Sequence, residues 1–287
     1  MNALIIARLT LLEALRRRLL WALIVLTVVV MALTGWGFTV LVGSARERGV
    51  PELDLIVGVS QVLILVAFMF SFVLAMTAAF LGAPAIASDL DSGVLLVLAA
   101  RPIRRSDILI GKWLGLAAIA GGYAVASGLL EIFLVRLITG YSPPDAFGAS
   151  LLLGAHAIVL LTVAILLSTR LPSIAGGAVA VVLFGLSWMA GVLANIASVL
   201  GLDSLAGTAQ AARYLVPLDG LWRGTVFALE PQAVRIVTGG SSRAARLAAN
   251  NPFFSATGVE VPFLIFVGLW IALVLGLAIV SFRRREI

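Results

Sequence analysis

Apolar residues run along this chain in long blocks, not in short amphipathic repeats. Six blocks, roughly 19–43, 55–83, 108–139, 147–169, 173–200 and 260–282, each hold about 20 or more residues with little charge. That is the length a helix needs to cross the hydrocarbon core of a bilayer. The pattern predicts an all-α integral membrane protein, one transmembrane domain of six helices over residues 1–287. The first block follows Arg16-Arg17-Arg18 and precedes Gly43-Ser44-Ala45, the outline of a signal peptide. At about 24 residues it exceeds the roughly 7–15 of a signal core and is read as a retained span. Ahead of it, residues 1–18 place Leu4, Ile5, Leu9, Leu12 and Leu15 on one helical face, with Arg8 and Glu13 off it. This predicts an amphipathic helix lying in the membrane interface, against the plainer alternative of an inward extension of the first span.

Two polar breaks interrupt the blocks. Residues 84–107 begin at Pro84, which ends or kinks the second span. Ser88 offers an N-cap, and Asp89 and Asp91 suit the positive end of a helix starting there. Leu90, Val94, Val97 and Leu98 then repeat at helical spacing until Arg101-Pro102 disfavours further helix. Ser106 can cap the third span, with Asp107 in its first turn. The break therefore reads as a short helix and a sharp turn, or as a plain loop with basic anchors. Residues 202–258 form the second break. Leu218, Leu221, Trp222 and Leu229 give a partly amphipathic helix. Pro231 can open another that Gly239-Gly240 ends, and Ser242 to Asn250 can form a third. These predict short helices on the outer bilayer face, serving as a gate or as a structural cap.

Composition supports the lipid environment: 62% of the 287 residues are hydrophobic and only 12% charged, with a mean hydropathy of +1.15. A soluble domain does not carry so much apolar surface. The net charge of +6 would hint at nucleic acid in a soluble protein. Here the basic residues flank spans, and no basic patch with interleaved aromatics forms a nucleic-acid surface. Arg8, Arg16 to Arg18, Arg101, Arg104, Arg105, Lys112, Arg170 and Arg283 to Arg285 gather on one side. The positive-inside rule makes that side, and both termini, cytoplasmic, in the inner membrane of the cell. Trp21 and Trp113 near one boundary and Trp36 and Tyr141 near the other predict aromatic belts. The absence of cysteine excludes disulfides, zinc–thiolate sites and iron–sulfur clusters.

Asp89-Leu90-Asp91-Ser92-Gly93-Val94-Leu95, then Arg101-Pro102-Ile103-Arg104-Arg105, then Gly111-Lys112 resemble the run after the second span in membrane subunits of type-2, exporter-like ABC transporters. Asp replaces the usual Glu and Val94 the usual Thr. Pro217-Leu218-Asp219-Gly220-Leu221-Trp222-Arg223 is similar to a run in the nitrous-oxide-reductase maturation branch of that family, and the terminal Phe282 to Ile287 also fits. The resemblance implies a permease subunit that forms a pathway with a second copy of itself and couples to a separate ATP-binding ABC subunit. It implies that ATP and Mg bind that partner, with no cofactor in this chain, and it leaves room for an extracytoplasmic accessory protein. Asp89, Leu90, Asp91, Gly93, Arg101, Pro102, Arg104 and Arg105 would then engage the ATPase, and Pro217, Asp219, Trp222 and Arg223 would belong to the external gate.

Catalytic alternatives find little support. The sole Gly-Lys, Gly111-Lys112, is followed by Trp113 and preceded at position 106 by Ser, so no P-loop forms and no ATPase or other enzyme activity is expected. Lys112 reads as an interface anchor whose amine snorkels to water. One histidine rules out a His-Glu-x-x-His zinc site, and no nucleophile elbow is present. The competing function is an integral-membrane enzyme acting on lipid through Asp89 and Asp91, but residues two apart on a helix diverge too far to share a metal. A secondary transporter would need inverted repeats and buried charges near the midplane. His156, inside the fourth span, reads as a packing residue bonded across a helix interface, or as a pathway contact. Glu131 lies about 19 residues, some 28 Å, beyond Lys112 and is expected near solvent with Arg136; Asn195 is a similar outer-end residue. Gly111, Gly115, Ala118, Gly122 and Ala126 form a small-residue ridge, expected to pack within the subunit, and Gly176 and Gly177 serve the same purpose in the fifth span.

Overall fold

The computed structural model describes residues 2–16, 18–93, 104–232, 253–255 and 257–285. Ten helices account for most of these: α1 (Asn2–Arg16), α2 (Arg18–Glu47), α3 (Glu52–Gly82), α4 (Pro84–Asp91), α5 (Arg105–Thr139), α6 (Ala146–Ser168), α7 (Ser173–Val199), α8 (Asp203–Leu215), α9 (Leu218–Leu229) and α10 (Val261–Arg283). Six are long and apolar enough to cross a membrane, α4 extending the second of them to Asp91. Among the described residues there is no strand, as expected where every backbone polar group must be satisfied within its own segment.

Burial ranks the spans. In the most apolar window of α6, 67% of residues are buried, against 22% for α2 and 17% for α10. α6 is therefore the central post, packed by α3, α5, α7, α9 and α10. α2 and α10 lie at the rim, where Trp21, Trp36, Leu264 and Leu269 are exposed. Small residues set the closest approaches. A Cβ on Gly82 would lie 2.7 Å from that of Ala164 on α6, and Gly177 rests 3.5 Å from Ala83 by the same measure.

α1 does not stand apart from the bundle. A Cβ at Gly111 would come within 2.7 Å of the Ala3 carbonyl oxygen, and one at Gly115 within 2.7 Å of that of Ala7. These two glycines let α1 lie backbone-to-backbone on α5. The apolar stripe of α1, Leu4, Ile5, Leu9, Leu12 and Leu15, faces away from the protein. The small-residue ridge of α5 is thus used within the subunit only at its first two positions. Ala118, Gly122 and Ala126 remain exposed.

Several expectations require correction. Ser88 does not start a helix. The backbone stays helical at Ala83 (φ −59°, ψ −41°), Pro84 occupies the first turn of α4, and the Ser88 hydroxyl donates to the Pro84 carbonyl at 2.6 Å. Proline at a first turn costs no donor that the helix would use, so helical backbone resumes at once. Asp89 and Asp91 consequently lie at the C-terminal end of α4, which Gly93 terminates at φ +73°. Ser106 does not cap α5 either; Arg104 holds that position with no side-chain bond, while Asp107 is in the first turn. α9 is not laid on the outside: Leu221 and Val226 are fully buried and Trp222 is 3% exposed. Of the belt aromatics, Tyr141 and Trp113 turn inward, Tyr141 donating to the Leu229 carbonyl at 2.6 Å and Trp113 to the Thr162 hydroxyl at 2.9 Å. The helix continuation through Val94, Val97 and Leu98, the break at Arg101 and Pro102, and the segments around Gly239-Gly240 and 242–250 lie outside the described residues.

Candidate functional site

Charged and polar side chains gather at the two ends of the bundle and at two points inside it. At the end that carries Asn2 and Arg283, the Lys112 amine pairs with Asp89 and donates to the Ala85 carbonyl at 2.6 Å. Both charged side chains are mostly shielded, 14% and 21% exposed. Lys112 thus does not snorkel to water; it fastens α4 to α5. A pair this sheltered feels a lower dielectric than bulk water and resists screening. Leu90 packs against the core, Asp91 is exposed, and Gly93 makes the left-handed turn out of α4. Asp89 and Asp91 sit on helical backbone with Asp89 committed to an ammonium, an arrangement that does not assemble a shared cation site.

The same end holds a second connection. One Arg105 Nη1 donates to the carbonyls of Phe282 (3.3 Å), Arg283 (3.2 Å) and Arg285 (2.7 Å). A guanidinium supplies these bonds to the orphan carbonyls of a helix C-terminus and complements its negative dipole end. Arg285 in turn donates to the Thr169 carbonyl at 2.6 Å, and Ser281 meets the Thr169 hydroxyl at 2.8 Å and Arg170 Nε at 2.9 Å. The last span is peripheral, and these bonds anchor its end to α5 and to the turn after α6. Arg104 is exposed. Arg101 and Pro102 lie outside the described residues.

At the opposite end Asp219 is 5% exposed and pairs with Arg213 of α8 and Arg223 of its own helix, the latter at 3.1 Å. Its carboxylate presses on Gly191 of α7, where a Cβ would fall 1.9 Å from Oδ1. Pro217 occupies the cap position of α9. Trp222 meets Phe68 of α3 edge-on, ring centres 5.4 Å apart. A groove of about 580 Å³ opens beside this cluster, lined by Gln210, Arg213, Tyr214, Arg223, Ser255 and Glu260. A second, of about 680 Å³, lies between the α2–α3 and α5–α6 turns and includes Arg46, Glu52 and Tyr141.

Besides Asp219 and Glu230, which is fully buried at the end of α9, His156 and Glu131 lie within the bundle. His156 is 3% exposed and stacks edge-on against Phe184 at 5.6 Å, with neither ring nitrogen bonded among the described residues. The expected bond across a helix interface is replaced by aromatic packing. Glu131 is only partly exposed. It is partly buried against Leu63, Phe70, Gly128 and Leu153, and its Oε1 has no partner among the described residues. Its rotation about the α5 axis turns it toward α3 and α6. Asn195 lies near the end of α7, and its side chain is not among those described.

The structure therefore joins Asp89 to Lys112 and Asp219 to Arg223, and brings His156 and Asp219 to the wall of one small cavity with Phe68 and Trp222. Sequence reasoning overlooked Arg213, the capping role of Arg105, and the Thr169–Ser281–Arg285 contact. Only the Asp219–Arg223 spacing of four residues carried a signal; the other pairings span too many residues for any periodicity to show.

A search among curated proteins finds no match. The family model described as ABC-2 family transporter protein matches residues 4–287, nearly the whole length, and this protein belongs to that family of transporter membrane subunits.

Proposed function

We propose that this permease subunit works as an exporter: it pairs with a second copy of itself and takes its driving force from a separate ATP-binding subunit docked at the Asp89–Arg105 segment. The observation that carries this reading is the Asp89–Lys112 pair. A force applied to the end of α4 is delivered through it directly into α5, one of the longest spans. Arg105, at the other end of the same segment, extends the path into α10. Asp91 is exposed beside the pair and is the natural contact for a basic partner surface. The exposed half of the α5 ridge, Ala118, Gly122 and Ala126, is a smooth face of the kind that a second copy packs against. α9, with Pro217, Asp219, Trp222 and Arg223, acts as the external gate. It is seated when closed, and parting the two copies would loosen its grip on α3, α6 and α7. The run from Pro217 to Arg223 supports placement near the nitrous-oxide-reductase maturation branch, where an extracytoplasmic accessory protein would meet this end. This reading sets both termini in the cytoplasm of a cell with the chain in its inner membrane.

Because Asp89 is engaged internally, docking and transmission separate by mutation. Asp91→Lys is expected to lose co-purification of the ATPase while the membrane subunit still inserts. Asp89→Lys is expected to retain docking but to uncouple ATP hydrolysis from transport, and the swap of Asp89→Lys with Lys112→Asp to restore coupling. Normal assembly and coupling in both Asp91→Lys and Asp89→Lys would refute the docking assignment.

A further inference from the structure

Six arginines crowd the end of the bundle where α10 stops. Arg104 and Arg105 open α5, Arg170 follows α6 in the turn to α7, and Arg283 to Arg285 end α10. Among the described residues none of the six forms an ion pair, with Asp91 or Asp107 of the same end or with any other carboxylate. Glu286 lies outside the described residues. Several of these arginines are not free to move apart. Arg105 is held over the Phe282 ring at 5.9 Å and on the last carbonyls of α10, and Arg285 on the Thr169 carbonyl. Arg170 is clamped to Ser281, its Nε donating to the hydroxyl at 2.9 Å and its Nη2 to the carbonyl at 3.3 Å. These contacts are to uncharged groups. They concentrate positive charge without cancelling it, and a counter-anion relieves the repulsion.

The surface beside this charge is apolar. Leu269, Leu273, Leu277 and Val280 of α10 are all exposed. Their spacing of four, four and three residues sets them along one side of the helix. Arg284 follows Val280 by four, still in right-handed helical backbone (φ −83°, ψ −1°), and is exposed. The stripe thus ends in a guanidinium on the same side. Ser281, which holds Arg170, comes three residues before Arg284, so the two arginines flank one turn. From Leu269 to Val280 the stripe is about 16 Å long at the helical rise, about half of the roughly 30 Å hydrocarbon core.

We propose that Arg170 and Arg284 bind the phosphate of an acidic phospholipid whose acyl chain lies along the Leu269–Val280 stripe. The cluster offers the planar donors that grip phosphate oxygens, and the stripe offers one leaflet of apolar contact. A soluble protein surface would match the charges but not the stripe. A second copy seated on the stripe, oriented alike in the bilayer, would set its own arginines at the same depth and add like charge. The lipid satisfies both parts at once, and it packs a span that the protein itself buries least.

Native mass spectrometry of the full-length protein, offered phosphatidylglycerol and phosphatidylcholine in equal amounts, tests this. Preferential retention of phosphatidylglycerol is expected. Arg284→Gln, which touches no bond that anchors α10, should lower the preference about fivefold, and Arg170→Gln with Arg284→Gln roughly 25-fold. Arg48→Gln, exposed at the other end of the bundle, should leave it unchanged. Equal retention of the two lipids by the unmodified protein, or full preference in both Arg284→Gln and the double variant, overturns the proposal. Displacement of the lipid by millimolar inorganic phosphate would show a site for free anion instead. Two further outcomes would reassign the surface. A disulfide-linked dimer through Leu277→Cys in native membranes would give the stripe to a second copy. Loss of the ATP-binding subunit from Arg284→Gln would give the cluster to that partner.

Discussion

A carboxylate at position 219 is buried to 5% exposure and gripped by two guanidinium groups. Taking it away leaves Arg213 and Arg223 without their shared partner. Asp219→Ala is therefore expected to lower stability by about 3 kcal/mol, the low end for a shielded pair because both arginines keep about a fifth of their exposure. Thermal unfolding in detergent measures it, and Asp219→Asn, which retains an acceptor, should lose less. Gly191→Ala attacks the same carboxylate from α7 and is expected to be comparably harmful, since the Asp219 oxygen it meets is held in place and cannot swing aside. At this scale the sequence was a partial guide. It singled out Asp89, Lys112, His156 and Glu131 as chemically unusual, because charge is rare among apolar residues, and Asp219 through the family resemblance of the run from Pro217 to Arg223. It misjudged what Lys112, His156 and Glu131 touch, because a side chain's partner depends on which helix face turns inward.

Among the helices, α10 and α9 are held in opposite ways. α10 buries little, and the Arg105 bonds to its last carbonyls do much to fix its end. Arg105→Gln is expected to accelerate amide exchange in the last turn of α10, around Ser281 to Arg285. Arg104→Gln, whose side chain is exposed, should leave that exchange unchanged. α9 is gripped along its length, with Tyr141 and the Asp145 amide bonding to the carbonyls of Leu229 and Ala228 at its end. Tyr141→Phe removes one of these and is expected to cost about 1 kcal/mol, seen as faster exchange across 218–229 with the six spans unaffected. The amphipathic spacing of Leu218, Leu221, Trp222 and Leu229 announced a helix here. It did not tell a lipid surface from a protein core, since both reward the same apolar stripe.

For the molecule as a whole, the two ends of the bundle differ in chemistry. One collects Arg104, Arg105, Lys112 and Arg283 to Arg285; the other carries the Asp219 cluster and the two grooves. The chain has no cysteine, so single cysteines report sidedness cleanly. Ser92→Cys and Ser142→Cys are both exposed positions at opposite ends. Ser142→Cys is expected to react with an impermeant maleimide in whole spheroplasts, and Ser92→Cys only in inverted vesicles. The reverse pattern would place the Asp89 segment outside the cell and remove the basis for ATPase docking.

The linear order of residues by itself determined the class of this protein: apolar blocks of bilayer length leave helices as the one way to satisfy the backbone, and their number follows by counting. It also determined where polar breaks fall, because turns and charges are excluded from the blocks. Tertiary structure alone decided that α1 lies on Gly111 and Gly115, that α9 sinks into the core, that Asp89 reaches Lys112, and that Arg105 closes the end of α10. Each of these depends on the rotation of one helix about its axis relative to another. In a chain apolar on nearly every face, hydropathy carries almost no information about that rotation, and the fit of glycine against backbone and of carbonyl against guanidinium settles it.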